Sequence, residues 1–380
     1  MLTSIIAVLF TFGLVIFLHE FGHFLVCKLS GIKVEAFSFG FGPELLGRTK
    51  GDTRYSLRAI PLGGYVKPAG ESIDEISGAP DEYFSKPWYV RLAVVLSGPT
   101  MNYLLAFTLF SGVILGVGEP VVSSDPVIGE TTVGYPAEAA GLKSGDRVVK
   151  VDGTAVASWE VMAKTIHGSL GREISIVYNR AGAEAEVKLT PRAAPDSAVR
   201  GVIGVTPGVS YKSVPVLKGL AMGLHQCWYW TAFTVKTLAS NVSKREKPDL
   251  AGPIGIVNIV SKAAHTGLAD LVFLIGLISV AVGFFNLLPV PLLDGGWAMI
   301  FLFEGIFKRR ITPTVMKYVN AAGIAFLLSI LLFATYSDIM RLKNSHDAKK
   351  AAAAAQPAPG KTQDPDKSPQ KDNSPQGGGN

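Results

Sequence analysis

Cysteine is scarce in this chain, with only Cys27 and Cys227 among 380 residues. They sit in separate apolar stretches without Cys-x-x-Cys spacing, so neither a disulfide framework nor a thiolate zinc site is indicated. Charge is scarce too: 17% of residues are charged and 48% hydrophobic. That balance, with a positive mean hydropathy, argues against a purely soluble enzyme. The net charge of +6 comes from scattered basic residues that cluster beside apolar runs. They form no aromatic-interleaved face on which bases could stack, so no nucleic-acid partner is expected. The first apolar stretch lacks the basic flank of a signal peptide, and its pattern continues through His19 and His23. It is therefore expected to be a membrane helix. No inverted repeats are visible, which argues against a transporter built on broken helices.

Four apolar stretches approach the roughly 20 residues needed to cross a bilayer. They cover residues 1–18, running on toward Val26, then 92–117, 271–293 and 319–336. The expected fold class is a polytopic α-helical membrane protein of about four transmembrane helices, with a membrane-associated β-hairpin or sheet and one inserted α+β domain. Its expected divisions are a first span at 1–27, a loop carrying the hairpin at 28–90, a second span at 91–118 and the inserted domain at 119–210. An amphipathic helix and linker follow at 211–267, then a third span at 268–296, a loop at 297–317, a fourth span at 318–342 and a disordered tail at 343–380.

Orientation follows from Lys and Arg near the helix ends. Lys28, Lys33, Lys86 and Arg91 mark the first loop as cytoplasmic, and Lys308, Arg309, Arg310 and Lys317 mark the third. The twenty residues from Gly118 contain no Lys or Arg, so the second loop is expected outside. Arg341, Lys343, Lys349 and Lys350 conflict with that count at the far end. Strand patterns at 34–41 and 54–67 predict a small sheet, and those at 147–151, 173–178 and 185–190 surround a predicted helix at 159–169. Residues 216–238 place Leu217, Leu220, Leu224 and Trp228 near one helical face. That pattern suits a helix on the outer membrane surface or one packed within the extracytoplasmic domain.

The chemistry concentrates in Phe17-Leu-His-Glu-Phe-Gly-His23. Four residues apart on a helix, His19 and His23 stack on one face about 6 Å apart along the axis, where two imidazoles can grip one ion. Glu20 is placed to act on water at a metal's open fourth position rather than to add a ligand. Ionisable groups in a span cost about 2.5–3.5 kcal/mol each and are normally retained for function. Asp294, closing Asn286-Leu-Leu-Pro-Val-Pro-Leu-Leu-Asp294, is the candidate third ligand. The first and third spans run in the same direction, which brings all three ligands to one depth. Two imidazoles and a carboxylate suit Zn2+ better than calcium or magnesium.

At these residues the sequence closely resembles the site-2 protease family of intramembrane zinc metalloproteases, in the bacterial branch typified by the regulator of sigma-E protease, over residues 1–342. His19-Glu20-x-x-His23 matches its H-E-x-x-H and Asn286-x-x-Pro289-x-Pro291-x-x-Asp294-Gly295 its N-x-x-P-x-P-x-x-D-G. Ser97-Gly98-Pro99-x-x-Asn102 and Ala251-Gly252-Pro253-x-Gly255 also look like family segments. Gly63, Gly64 and Tyr65 resemble the end of the family's hairpin, implying that they hold substrate as an extended strand. Asn286 would anchor the substrate backbone by the same resemblance, while a helix-break cap is the alternative from its position. Within the inserted domain, Ala137-x-x-Ala140-Gly141-Leu142-x-x-Gly145-Asp146-x-Val148 resembles bacterial PDZ domains. Such a module either takes an extended peptide or protein terminus or acts as a size filter.

The resemblance implies a protease of the bacterial inner membrane, with its PDZ domain extracytoplasmic and its active site near the cytoplasmic side. Its substrates would be single-pass membrane proteins such as anti-sigma factors, already trimmed by another protease, and remnant signal peptides. A membrane-anchored PDZ adaptor with a vestigial metal site is the rival reading.

Overall fold

The computed structural model describes residues 2–71, 76–195, 197–244, 252–309 and 313–354. Four of its helices are long and apolar enough to cross a membrane, over Leu2–Leu29, Trp88–Val117, Leu268–Asn286 and Tyr318–Met340. The chain divides into two compact units, one of Met1–Pro248 with Ile259–Ile324 and one of Asp249–Asn258 with Ala325–Asn380.

In the first unit, α1 (Leu2–Leu29) leads into β1 (Val34–Lys50) and β2 (Thr53–Pro68), and α2 (Trp88–Val117) follows after a 3₁₀ turn at Tyr83–Ser85. Strand β1 runs past the expected end at Phe41. Gly40 and Gly42, at φ +89° and +84°, bend the strand without ending it, because glycine enters that region freely. Each of residues 36–39 faces two partners, so that Phe37 lies opposite both Tyr55 and Val66. The two chain strands thus make a four-row sheet in the order 64–67, 36–39, 54–57, 46–49.

The inserted module comprises β3 (Glu119–Val122), β4 (Ile128–Thr131), α3 (Pro136–Ala139), β5 (Arg147–Val151), β6 (Thr154–Ala155) and α4 (Trp159–His167). It continues with β7 (Ile174–Arg180), β8 (Ala183–Leu189), β9 (Arg192–Ala194), β10 (Ser197–Val202), β11 (Val205–Pro207) and β12 (Val209–Lys212). Its main sheet has the order β6-β5-β7-β8. Ile174, Ile176 and Tyr178 alternate inward along β7, the period-two pattern of a half-buried strand. They join Val148 and Val151 of β5, set three apart by a register shift between them, with Met162 and Ile166 of α4 in one core.

α5 (Val216–Lys244) was expected on the membrane surface or within the extracytoplasmic domain; instead it runs antiparallel along α2. A Cβ on Gly219 would strike Leu115 and one on Gly223 would strike Ser111, while Tyr103 and Thr231 share a hydroxyl hydrogen bond of 2.9 Å. Those contacts follow α2 for about 18 Å. The four-residue spacing of Gly219, Gly223 and buried Cys227 supplies the small-residue seam by which helices approach closely in lipid. This seam, hidden behind the more obvious apolar stripe, decides where the helix sits.

α6 (Pro253–Thr266) precedes α7 (Leu268–Asn286), which also runs antiparallel to α2, with Gly276 at Phe110 and Gly283 at Asn102. Residues 294–307 lie partly in what was expected to be a loop but form α8 (Asp294–Phe307), because Trp297, Ile300 and Phe301 have an apolar core to enter. Arg91, 2% exposed, ties α8 to the base of α2. It donates to Glu304 at 2.6 Å and stacks over Phe301 and Phe84, so its charge is paired and sandwiched rather than stranded.

In the second unit, Asp338 of α9 (Pro313–Ala354) accepts from the backbone N–H groups of Gly252 and Gly255 at 3.1 and 3.0 Å, an anion held at a helix N-terminus. The tail expected from 343 is helical through Ala354, where alanine-rich sequence favours helix. The rest of that tail, with Arg310 and Ala251, lies outside the described residues.

Asp146 explains part of the PDZ-like motif. It accepts two hydrogen bonds from Arg180 and one from the Lys143 N–H, each 2.7 Å. Burial alone would push its carboxyl up, but these partners outweigh it and hold the group below the usual carboxylate range. A carboxylate lowered on folding adds stability above its unfolded pKa of about 3.9 and loses it as pH falls through the folded value. Asp146→Asn is therefore expected to destabilise the module by about 1.5–3 kcal/mol at neutral pH. The gap should narrow below about pH 4, as read by hydrogen exchange of β5 and β7 in the full chain.

Candidate active site

His19, His23 and Asp294 converge, with one ligand atom from each within 4.8 Å of the others. The two Nε2 atoms are 3.3 Å apart. Asp294 Oδ2 lies 3.1 Å from His19 Nε2, and Oδ1 lies 3.5 Å from His23 Nε2. Both histidines come from one face of α1, and Asp294 opens α8 beyond the break in the third apolar stretch.

That break is built by Leu287–Leu293, where the prolines cannot continue a helix. Leu292 adopts φ +73°, a left-handed conformation that costs a branched residue about 1–2 kcal/mol, two positions before the ligand. Gly295 and Gly296 let the broken segment fold back. A Cβ on Gly295 would strike the carbonyls of Leu287 and Leu288, and one on Gly296 would strike that of Val290.

The outer nitrogens of the two imidazoles determine what the inner ones can do. His23 Nδ1 lies 2.8 Å from the Val94 carbonyl, which only accepts, so the proton sits on Nδ1 and the Nε2 lone pair faces Asp294. His19 Nδ1 lies 3.2 Å from the Asn102 amide, whose Oδ1 is buried without a partner as placed. Turning that amide over, an assignment made from hydrogen bonding, lets Oδ1 accept from Nδ1–H, which leaves the His19 Nε2 lone pair facing inward. Two lone pairs and a carboxylate then face one point, and buried Asp294 Oδ2 accepts no hydrogen bond. A bound cation satisfies that arrangement, so the residues fit a metal held by two imidazoles and one carboxylate.

Glu20 borders the same cavity of about 310 Å³, with Val66, Tyr83, Asn286 and Trp297 also on its wall, and its carboxylate takes a backbone hydrogen bond from Val66. Gly64 lies over that turn of α1, where a Cβ would stand 3.6 Å from Glu20 Cγ. Gly63, at φ +142°, leaves room for the Phe41 ring. Tyr65 accepts from Arg58 at 2.8 Å and does not line the cavity. Asn286 reaches the cavity wall while donating to the Val282 carbonyl at 3.0 Å, one turn back in its own helix.

The family model for peptidase family M50 matches residues 7–330. The chain belongs to peptidase family M50. It is therefore a zinc metalloendopeptidase, and its four apolar helices make it a membrane protein. A Clostridium acetobutylicum protein, provisionally named a zinc metalloprotease, is 33% identical over 342 residues, covering 89% of this chain and 97% of its own. The regulator of sigma-W protease of Bacillus subtilis is 26% identical, covering 89% and 99%. Among solved structures, the PDZ domain of an SdrC-like protein of Listeria monocytogenes is 24% identical, covering 23% and 90%, with a TM-score of 0.21.

Sequence reasoning placed Gly98 and Asn102 in a family segment without assigning either a task. Their position in the middle of an apolar stretch was the available signal. A Cβ on Gly98 would collide with the His23 ring and stand 2.8 Å from His19 Cε1. Gly98→Ala is expected to displace the rings and empty the site in a chain that still folds, measured as zinc per protein. Asn102→Ala is expected to lower metal affinity about 10–100-fold, measured by competition with a chelator.

Proposed function

We propose that this metalloprotease cuts single-pass membrane proteins within or at the edge of the bilayer, with His19, His23 and Asp294 holding Zn2+ and Glu20 as general base. The observation carrying this reading is the convergence of the three donors beside Glu20 in one cavity at the broken end of a membrane span. When bound, zinc supplies a Lewis acid that polarises the scissile carbonyl and lowers the pKa of water to about 7. Glu20 takes the proton from the attacking water and returns it to the leaving amine. The Val66 N–H holds the carboxylate in position between those two tasks.

A membrane helix hides its carbonyls in intrahelical bonds, so it must be unwound before attack. Row 64–67 pairs with 36–39 on one side, and among the described residues nothing pairs with its other side. Substrate adding there as a strand would expose a carbonyl beside the cluster. Gly63, Gly64 and Tyr65 would act through this backbone edge, and Asn286 would hold the substrate chain from the opposite wall.

The sigma-W name of the Bacillus subtilis relative supports substrates of the anti-sigma-factor type, trimmed beforehand by another protease; remnant signal peptides share the same chemistry. In the PDZ-like module a groove of about 360 Å³ between α4 and the 200–205 segment, walled by Met162, Ile166 and Val202, suits an extended peptide or protein terminus. The charge pattern supports an inner-membrane protein with this module outside and the cluster near the cytoplasmic face. The adaptor alternative gives no reason for both imidazoles to keep their Nε2 atoms aimed at a buried carboxylate.

Purified protein in detergent is expected to cleave a single-pass membrane segment, and Glu20→Gln to slow it by about 10²–10⁴-fold while retaining zinc. Cleavage unchanged in Glu20→Gln would remove Glu20 from the mechanism. Absence of zinc from metal-replete wild type would favour the adaptor.

A further inference from the structure

The sheet of β1 and β2 is wider than the helix it covers. Its inner face carries two cross-strand rows, Phe37–Tyr55–Arg48 and Phe39–Leu57–Leu46. The first members rest on α1, with Phe24 4.7 Å from Phe37 and Phe17 5.6 Å from Phe39 between ring centroids. The far members overhang, leaving an open groove of about 500 Å³ between Phe17 and the strip of Leu46, Arg48 and Leu57.

Position along α1 gives this groove a polarity. Phe24 lies one turn from Lys28 at the charged end of the span, and Phe17 lies about 10 Å deeper. The Arg48 row is therefore level with the membrane interface and the Leu46 row with the hydrocarbon. Leu46 is 69% exposed. Arg54 is committed to Glu44, and Arg58 to the Gly42 carbonyl and Tyr65, whereas Arg48 has no hydrogen-bond or ion-pair partner among the described residues.

We propose that this groove binds one anionic phospholipid, its phosphate on Arg48 and an acyl chain along Leu57, Leu46 and Phe17. An uncommitted guanidinium at headgroup level above an aromatic and aliphatic trough matches an anionic amphiphile in both charge and depth. A substrate strand is a poorer match, because rows 36–39 and 54–57 that floor the trough are each paired on both sides. The outer row 46–49, paired only with 54–57 among the described residues, has its remaining backbone groups in the plane of the sheet, pointing away from the trough rather than into it. The free edge at 64–67 lies about 10 Å away, two rows across the sheet.

The test is native mass spectrometry of the full chain released from detergent, titrated with dioleoylphosphatidylglycerol or dioleoylphosphatidylcholine. Wild type is expected to bind one phosphatidylglycerol about fivefold more tightly than phosphatidylcholine. Arg48→Ala should abolish that preference and leave phosphatidylcholine binding unchanged, while Leu57→Asp should weaken both lipids. Equal affinity for the two lipids in wild type, or a preference that survives in Arg48→Ala, would overturn the proposal. So would glycerol phosphate competing as well as the intact lipid, which would leave a phosphate site without a role for the groove. Displacement of bound lipid by a substrate segment whose own binding depends on Arg48 would assign the groove to substrate instead.

Discussion

The close approach of α1 and α2 is the constraint on which the site depends. A Cβ on Gly22 would run into the Ser97 carbonyl, and one on Gly98 into the His23 ring. Both helices are apolar, and lipid tails give two such helices little reason to associate. Contact is gained where small residues let backbones draw together, and that same closeness brings the Val94 carbonyl and the Asn102 amide to the outer nitrogens of the two histidines. Helix packing and imidazole orientation thus share one cause.

Asp294 reaches the cluster by a different route. The third apolar stretch is broken by proline, relaxed by two glycines and restarted as α8. Irregular backbone at membrane depth survives only where protein or a watery cavity satisfies it. Here it borders the cavity that holds Glu20. The buried Arg91–Glu304 pair holds the far end of α8 against α2, so the carboxylate at its near end stands on a braced helix.

The sheet supplies two unlike surfaces. Row 64–67 has no second strand partner among the described residues and lies over Glu20, to which it gives the Val66 N–H. The opposite flank ends in row 46–49, and the face it turns toward α1 presents side chains, with Arg48 outermost. A covering sheet wider than its helix thus faces the Glu20 cavity from one row and the open groove from others.

The His19-Glu20-x-x-His23 string, the four apolar stretches, the PDZ-like signature and the Pro-x-Pro break were legible without coordinates, because each is local: a turn of helix, a run of about twenty residues or a pair of prolines states its own geometry. What tertiary structure alone decided was everything dependent on a distant backbone. Asn102 gained a task only when His19 arrived beside it, and Gly98 only when His23 filled the space a methyl would need. Likewise, α5 lies along α2 because Gly219 and Gly223 meet Leu115 and Ser111, a fit that apolar periodicity does not contain. Composition and spacing specify which elements form and which residues can do chemistry; contact between elements specifies which residues orient that chemistry, because orientation is a property of pairs that sequence separates.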